Sequence, residues 1–171
     1  MLEKYFTEEE YKKIKESNDL FYKSLEIITK LFNDKVDKGG LPYVIHLLKV
    51  YEGVSDDLEK VCALLHDVIE DTDVTYSDLK NIGYNNDVIE VLKILTKIKG
   101  EDYRDYIDRI IESDNIHAMN IKLSDLRHNM DLGRIINPTT NDYERVSKRY
   151  EPAYRKILNR VNEMEKDYVR Y

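Results

Sequence analysis

Leu64-Leu65-His66-Asp67-Val68-Ile69-Glu70-Asp71-Thr72 sets a histidine and three carboxylates into what otherwise reads as the interior of a buried helix. Just upstream, Val61, Cys62, Ala63, Leu64 and Leu65 cover the whole circumference of a helical wheel, which marks a central helix rather than a surface one. Ionisable groups at the end of such a helix are costly to bury unless they are paired or bound to a metal ion. Two more apolar patterns are broken in the same way. His46 interrupts Pro42-Tyr43-Val44-Ile45-His46-Leu47-Leu48, and Asp125 interrupts the face formed by Ala118, Ile121, Asp125, Asn129 and Leu132. His46, His66, Asp67 and Asp125 together make an H…HD…D pattern of metal-ligand type.

Outward from this stretch, apolar residues recur at three- and four-residue spacing and no alternating strand pattern is found, so the chain reads as all-α. Helices are predicted over 8–16, 18–34, 42–53, 56–71, 76–82, 85–98, 101–113, 115–133, 140–150 and 152–168. They are separated at Gly39-Gly40, Gly53, Gly83, Gly100 and Asn137-Pro138. Ser55 is the expected N-cap of the central helix. Pro152 is expected to kink or restart the last one, whose Tyr150, Tyr154, Ile157, Leu158 and Val161 form a packing stripe. The predicted architecture is a single-domain helical bundle over 1–171, with the metal site between central helices.

Lys and Arg number 27 against 34 Asp and Glu, a net charge of −7, which argues against a nucleic-acid partner and requires a local positive centre for any anionic substrate. Cys62 is the only cysteine and sits in an apolar run, so it is expected to be a buried thiol in a reducing compartment. The N-terminus lacks a signal-peptide core, and no run approaches the ~20 apolar residues of a membrane span. A soluble, cytoplasmic protein with no membrane partner is the expectation.

Two imidazoles and two carboxylates suit manganese or iron(II), and zinc is also compatible. Glu70 and Asp71 follow one turn after His66 and Asp67, where they can orient or deprotonate a water made more acidic by the ion. Taken singly, His46 is an ordinary core histidine and Glu70-Asp71-Thr72-Asp73 a solvated helix end. Three helices each carrying a ligand-type residue on an apolar face outweigh those readings. His117 and His128 are expected to be exposed or to lie behind the ligands. Lys35, Lys38, Lys97, Lys99, Lys122 and Arg127 are candidate positive groups. Tyr103, Arg104, Tyr106 and Arg109 are candidates for the cavity mouth, though their spacing is that of ordinary packing.

Pro42-Tyr43-x-x-His46, Leu65-His66-Asp67-x-x-Glu70-Asp71-Thr72 and Lys122-Leu123-Ser124-Asp125-x-x-x-Asn129 resemble the HD-domain metal-dependent phosphohydrolases. Within them, the resemblance is to the RelA/SpoT-type hydrolase domain that removes the 3′-pyrophosphate of ppGpp and pppGpp. It covers a core of about 18–165. It implies that His46, His66, Asp67 and Asp125 bind the metal, typically manganese. It further implies that Glu70 and Asp71 act on the attacking water, and that Lys38, Tyr43 and Asn129 lie against a small-molecule nucleotide substrate. The chain departs from the subgroup at Phe32-Asn33-Asp34-Lys35, which stands for His-x-Gly-Gln, and at Leu47, which replaces a proline. A third departure is Asp37, found where a nucleotide-stacking arginine is common.

The resemblance implies a stand-alone hydrolase of the stringent response, not a synthetase. An HD-type nucleotidase or pyrophosphatase acting on another nucleotide remains open, as does a non-catalytic nucleotide or alarmone sensor. An oxygen-activating di-iron enzyme would call for more histidine ligands. A homodimer formed through the tyrosine-rich C-terminal helices is one expectation for assembly.

Overall fold

In a computed structural model, described over residues 2–169 and for side chains to residue 166, eleven α-helices are named. They are α1 (Glu8–Glu16), α2 (Leu20–Leu31), α3 (Tyr43–Glu52), α4 (Asp57–Leu65), α5 (Val68–Asp71) and α6 (Tyr76–Asn81), followed by α7 (Asn86–Leu95), α8 (Tyr103–Glu112), α9 (Ile116–Met130), α10 (Thr140–Arg145) and α11 (Glu151–Val169). Among the described residues the only β-type pairing is a bridge between Val36 and Pro42. Side chains that accept from the first-turn N–H groups explain many of the starts. Asp19 caps α2, Asn85 caps α7, Asp102 caps α8 and Asn115 caps α9. The cap of α4 is Asp56, which accepts from Leu58 and Glu59, rather than the expected Ser55. Its carboxylate accepts both bonds and adds a negative charge at the positive helix end.

Helix α4 is central, packed by α2, α3, α7 and α9. Cys62, Ala63, Leu64 and Leu65 are completely buried, as the all-round apolar pattern predicts. A second apolar cluster joins α8, the other face of α9 and α11 through Tyr106, Ile110, Met119, Leu126, Ile157 and Val161. Helix α9 therefore lies between two cores, which is why its polar residues are forced into defined positions.

Two predicted helices differ from those observed. The span 56–71 is not continuous: it breaks at His66-Asp67, where Asp67 takes φ −97° and ψ −3°. On an unbroken helix adjacent residues point ~100° apart. The break turns both side chains to the same side, with His66 Nε2 and Asp67 Oδ2 3.1 Å apart. At the C-terminus, where Pro152 was expected to kink or restart the last helix, α11 starts at Glu151, one residue before the proline. A π-helical turn over Val146–Tyr150 joins α10 to α11 immediately before it. That wider turn accommodates the proline ring and its missing N–H.

Candidate metal centre and its cavity

Helix α3 supplies His46, the α4–α5 break supplies His66 and Asp67, and α9 supplies Asp125. Their side chains converge. His46 Nε2 lies 3.3 Å from Asp125 Oδ1 and 3.6 Å from Asp67 Oδ2, and His66 Nε2 lies 3.9 Å from Asp125 Oδ1. His46, His66 and Asp125 are buried, and their ligand atoms all fall within 4.8 Å of one another, a cluster that can hold a metal ion.

The surrounding hydrogen bonds orient each group. His66 Nδ1 is 2.7 Å from the Ala63 carbonyl, so it carries the proton and leaves the Nε2 lone pair facing the cluster. That Nε2 is buried and has no hydrogen-bond partner, which is costly unless a cation takes the lone pair. His46 Nδ1 lies 2.7 Å from His128 Nδ1. His128 was expected only to be exposed or behind the ligands; its ring backs His46. Burial, then the nearby His46, lowers the His128 pKa to about 4, so it is the neutral member of the pair. The Tyr43 hydroxyl donates to Asp67 Oδ2 at 2.6 Å, and the Tyr43 ring stacks on Phe32. Lys122 Nζ donates to Asp125 Oδ2 at 2.7 Å and Asn129 Nδ2 donates to Oδ1.

The electrostatics are those of a site shaped for positive charge. Burial works against a protonated His46, yet the Asp125 and Asp67 carboxylates overcome it and raise its pKa to about 9. His66 is raised against the same burial by Asp67. Burial alone would raise both carboxylates, but positive charge beside them holds them well below the usual range: for Asp67 chiefly a proton on His66, standing where a metal ion would, and for Asp125 chiefly Lys122. Glu70 and Asp71 shift the other way. Burial, reinforced by the charge on Asp67, makes both more basic than ordinary carboxylates.

The cluster opens on a cavity of about 280 Å³ lined by His46, Asp67, Glu70 and Asp125. Lys38, Lys97, Lys122, Arg134 and Arg149 also line it, giving the acidic chain its local positive centre. The Lys97 N–H donates to Glu70 Oε2 at 3.1 Å and fixes that carboxylate. Lys38 Nζ reaches the Tyr150 hydroxyl at 3.0 Å. Asp71 is not among the lining residues; its carbonyl accepts from Lys35. Among the other sequence candidates, Arg127 lines a separate groove with Ser124 and His128, and Arg104 lines a neighbouring one. Arg109 is held by Glu101 and by the carbonyls of Ile94 and Thr96. Arg134, Arg149 and Tyr150 were missed as site residues. No motif singled them out in the sequence, where Arg134 stands in the loop before Asn137-Pro138 and Tyr150 reads as part of a packing stripe.

No protein-family model matches the chain. It is 30% identical over 120 residues, 63% of its length, to guanosine-3′,5′-bis(diphosphate) 3′-pyrophosphohydrolase of Aquifex aeolicus. It is 32% identical over 107 residues to the bifunctional (p)ppGpp synthase/hydrolase SpoT of Escherichia coli, and 26% identical over 162 residues to a GTP pyrophosphokinase of Myxococcus xanthus. The chain spans only 17%, 15% and 21% of those three proteins. A solved structure of a metazoan SpoT ortholog that hydrolyses ppGpp shares the fold, with a TM-score of 0.65 at 22% identity over 89% of this chain and 97% of that one. The chain thus shares its fold with that SpoT ortholog, and between about half and four-fifths of its length is similar in sequence to part of these curated proteins.

Proposed function

We propose that the chain is a metal-dependent phosphohydrolase that removes the 3′-pyrophosphate of ppGpp and pppGpp, with manganese as the ion. The observation that carries this reading is the unpartnered lone pair of buried His66 Nε2 within a His/Asp cluster that opens on a cation-lined cavity. The names of the curated relatives support the substrate. The mixed imidazole and carboxylate donors support manganese, with iron(II) or zinc as competitors.

His46, His66, Asp67 and Asp125 hold the ion, each oriented by a partner behind it: His128, the Ala63 carbonyl, Tyr43 and Lys122 respectively. A divalent ion held there supplies Lewis acidity, making water more acidic and offsetting phosphoryl charge. Glu70, made more basic by burial and aimed by the Lys97 N–H, takes the proton of the attacking water. Asp71, one residue on, adds negative charge beside Asp67 and keeps Glu70 basic. Lys38, Lys97 and Arg149 meet the phosphate oxygens, and Tyr43 and Asn129 touch substrate from the cavity wall. The products are pyrophosphate and a nucleotide with a free 3′ hydroxyl.

The test is product analysis of the chain with ppGpp and manganese, beside other nucleotides. Release of GDP and pyrophosphate is expected. Glu70→Gln should lower kcat by about 10²–10⁴-fold while keeping the metal, as expected for loss of a general base. Cleavage of another nucleotide with ppGpp left intact would point to a different phosphohydrolase. Tight binding without turnover would make the chain a sensor.

A further inference from the structure

Asp37 is a carboxylate on the wall of a cavity otherwise rich in cations, and a guanidinium stands beside it. Arg134, from the turn after α9, pairs with Asp37 across 97 residues of chain, and both side chains are almost fully buried at 9% and 5% exposure. Asp37 is saturated in this arrangement: its Oδ1 also accepts from the N–H groups of Gly39 and Leu41, at 2.8 and 3.0 Å. The two segments fit so closely that a Cβ on Gly39 would lie 2.5 Å from the Arg134 carbonyl oxygen. Asp37 and Arg134 both line the cavity, and Arg134 Nε is buried without a partner.

We propose that Arg134, neutralised and oriented by Asp37, is the residue that holds the nucleotide base, leaving the phosphates to Lys38, Lys97 and Arg149. The inference rests on the nucleotide-hydrolase reading above. A guanidinium paired with a carboxylate has little net charge to offer a phosphate, but it keeps a flat, weakly hydrated face on which a base can stack. Lys38 and Arg149 differ in this respect, because their close neighbours Tyr150 and Tyr103 are uncharged rings. Val36, 64% exposed on the Asp37 loop and lining the same cavity, adds an apolar edge of the kind a base covers. A simple latch between two loops would need neither the cavity position nor the unpaired Nε.

The test is titration of the full chain with GDP, other nucleoside diphosphates and inorganic pyrophosphate, in wild type, Arg134→Lys and Asp37→Asn. Arg134→Lys keeps a charge for Asp37 and removes the flat face. It should weaken nucleoside diphosphate binding by about tenfold and leave pyrophosphate binding within about twofold. Asp37→Asn restores net charge to the guanidinium and should tighten pyrophosphate by about threefold or more. Equal losses for nucleotide and pyrophosphate, or no loss of either, in a variant with a wild-type melting temperature would overturn the proposal. So would Asp37→Asn leaving pyrophosphate binding unchanged if Arg134→Lys does not fold. If GDP binds with this dependence but ppGpp is not cleaved, the hydrolase reading falls and the base site stands. If ppGpp is cleaved and Arg134→Lys binds GDP normally, the outcome is the reverse.

Discussion

Replacing Gly53 by alanine should loosen the contact that sets the spacing of α3 and α9, and with it the metal cluster. Gly53 caps α3 at φ −84° and ψ 0°, a conformation open to any residue, so the cost is one of space and not of backbone strain. A Cβ there would fall 2.0 Å from Ser124 Oγ and 3.0 Å from Ser124 Cβ. Rotating the serine relieves the first overlap but breaks its 2.9 Å bond to the Val50 carbonyl, at about 1 kcal/mol. The second overlap then forces the helices apart at the ~1–3 kcal/mol typical of overpacked cores. The sum is a loss of about 2–4 kcal/mol, read as the shift in a urea denaturation curve followed by circular dichroism. For a chain of this size that corresponds to a fall of roughly 4–16 °C in melting temperature. Ser124 precedes Asp125 and α3 carries His46, so metal affinity should fall as well. In a Ser124→Ala background the same glycine change should cost at least about 1 kcal/mol less, because the oxygen it strikes has gone. A loss below about 0.5 kcal/mol, or equal losses in both backgrounds, would refute the reasoning.

Other consequences can be checked with similar tools. Manganese at about a hundred times its dissociation constant should stabilise the wild-type chain by about 2.7 kcal/mol in a thermal melt, and a chelator should reverse it. Asp67→Ala and Asp125→Ala should show no such gain, and stoichiometric metal retained in both would remove them as ligands. Arg109→Ala should cost about 2–3 kcal/mol in chemical denaturation, since it removes bonds to Glu101 and to the Ile94 and Thr96 carbonyls. Freeing that loop should also lower kcat, because the loop carries the Lys97 N–H that fixes Glu70.

The helical class and most helices were legible because apolar periodicity and capping residues act locally, and Cys62 was recognisably buried for the same reason. The His46, His66, Asp67 and Asp125 set stood out because a polar residue on an otherwise apolar helix face needs a partner. Helix ends were less legible: the break at His66-Asp67 has no glycine or proline to announce it, and Ser55 and Asp56 are both good caps. Asp71 followed Glu70 in every sequence argument, yet its neighbours in space include Lys35 and it does not line the cavity.

By itself, the sequence determined that the chain is helical, that α4 is central, and that three helices each bring a ligand-type group to a buried face. Periodicity and polarity are local properties, so they survive without knowledge of packing. Only the tertiary structure decided that His128 stands behind His46 and that Arg134 answers Asp37. The pairs from His128 to His46 and from Arg134 to Asp37 join segments remote in the chain, and their energies depend on distance and burial. Neither is encoded in spacing along the chain; both are set when α3 and α9 pack on α4.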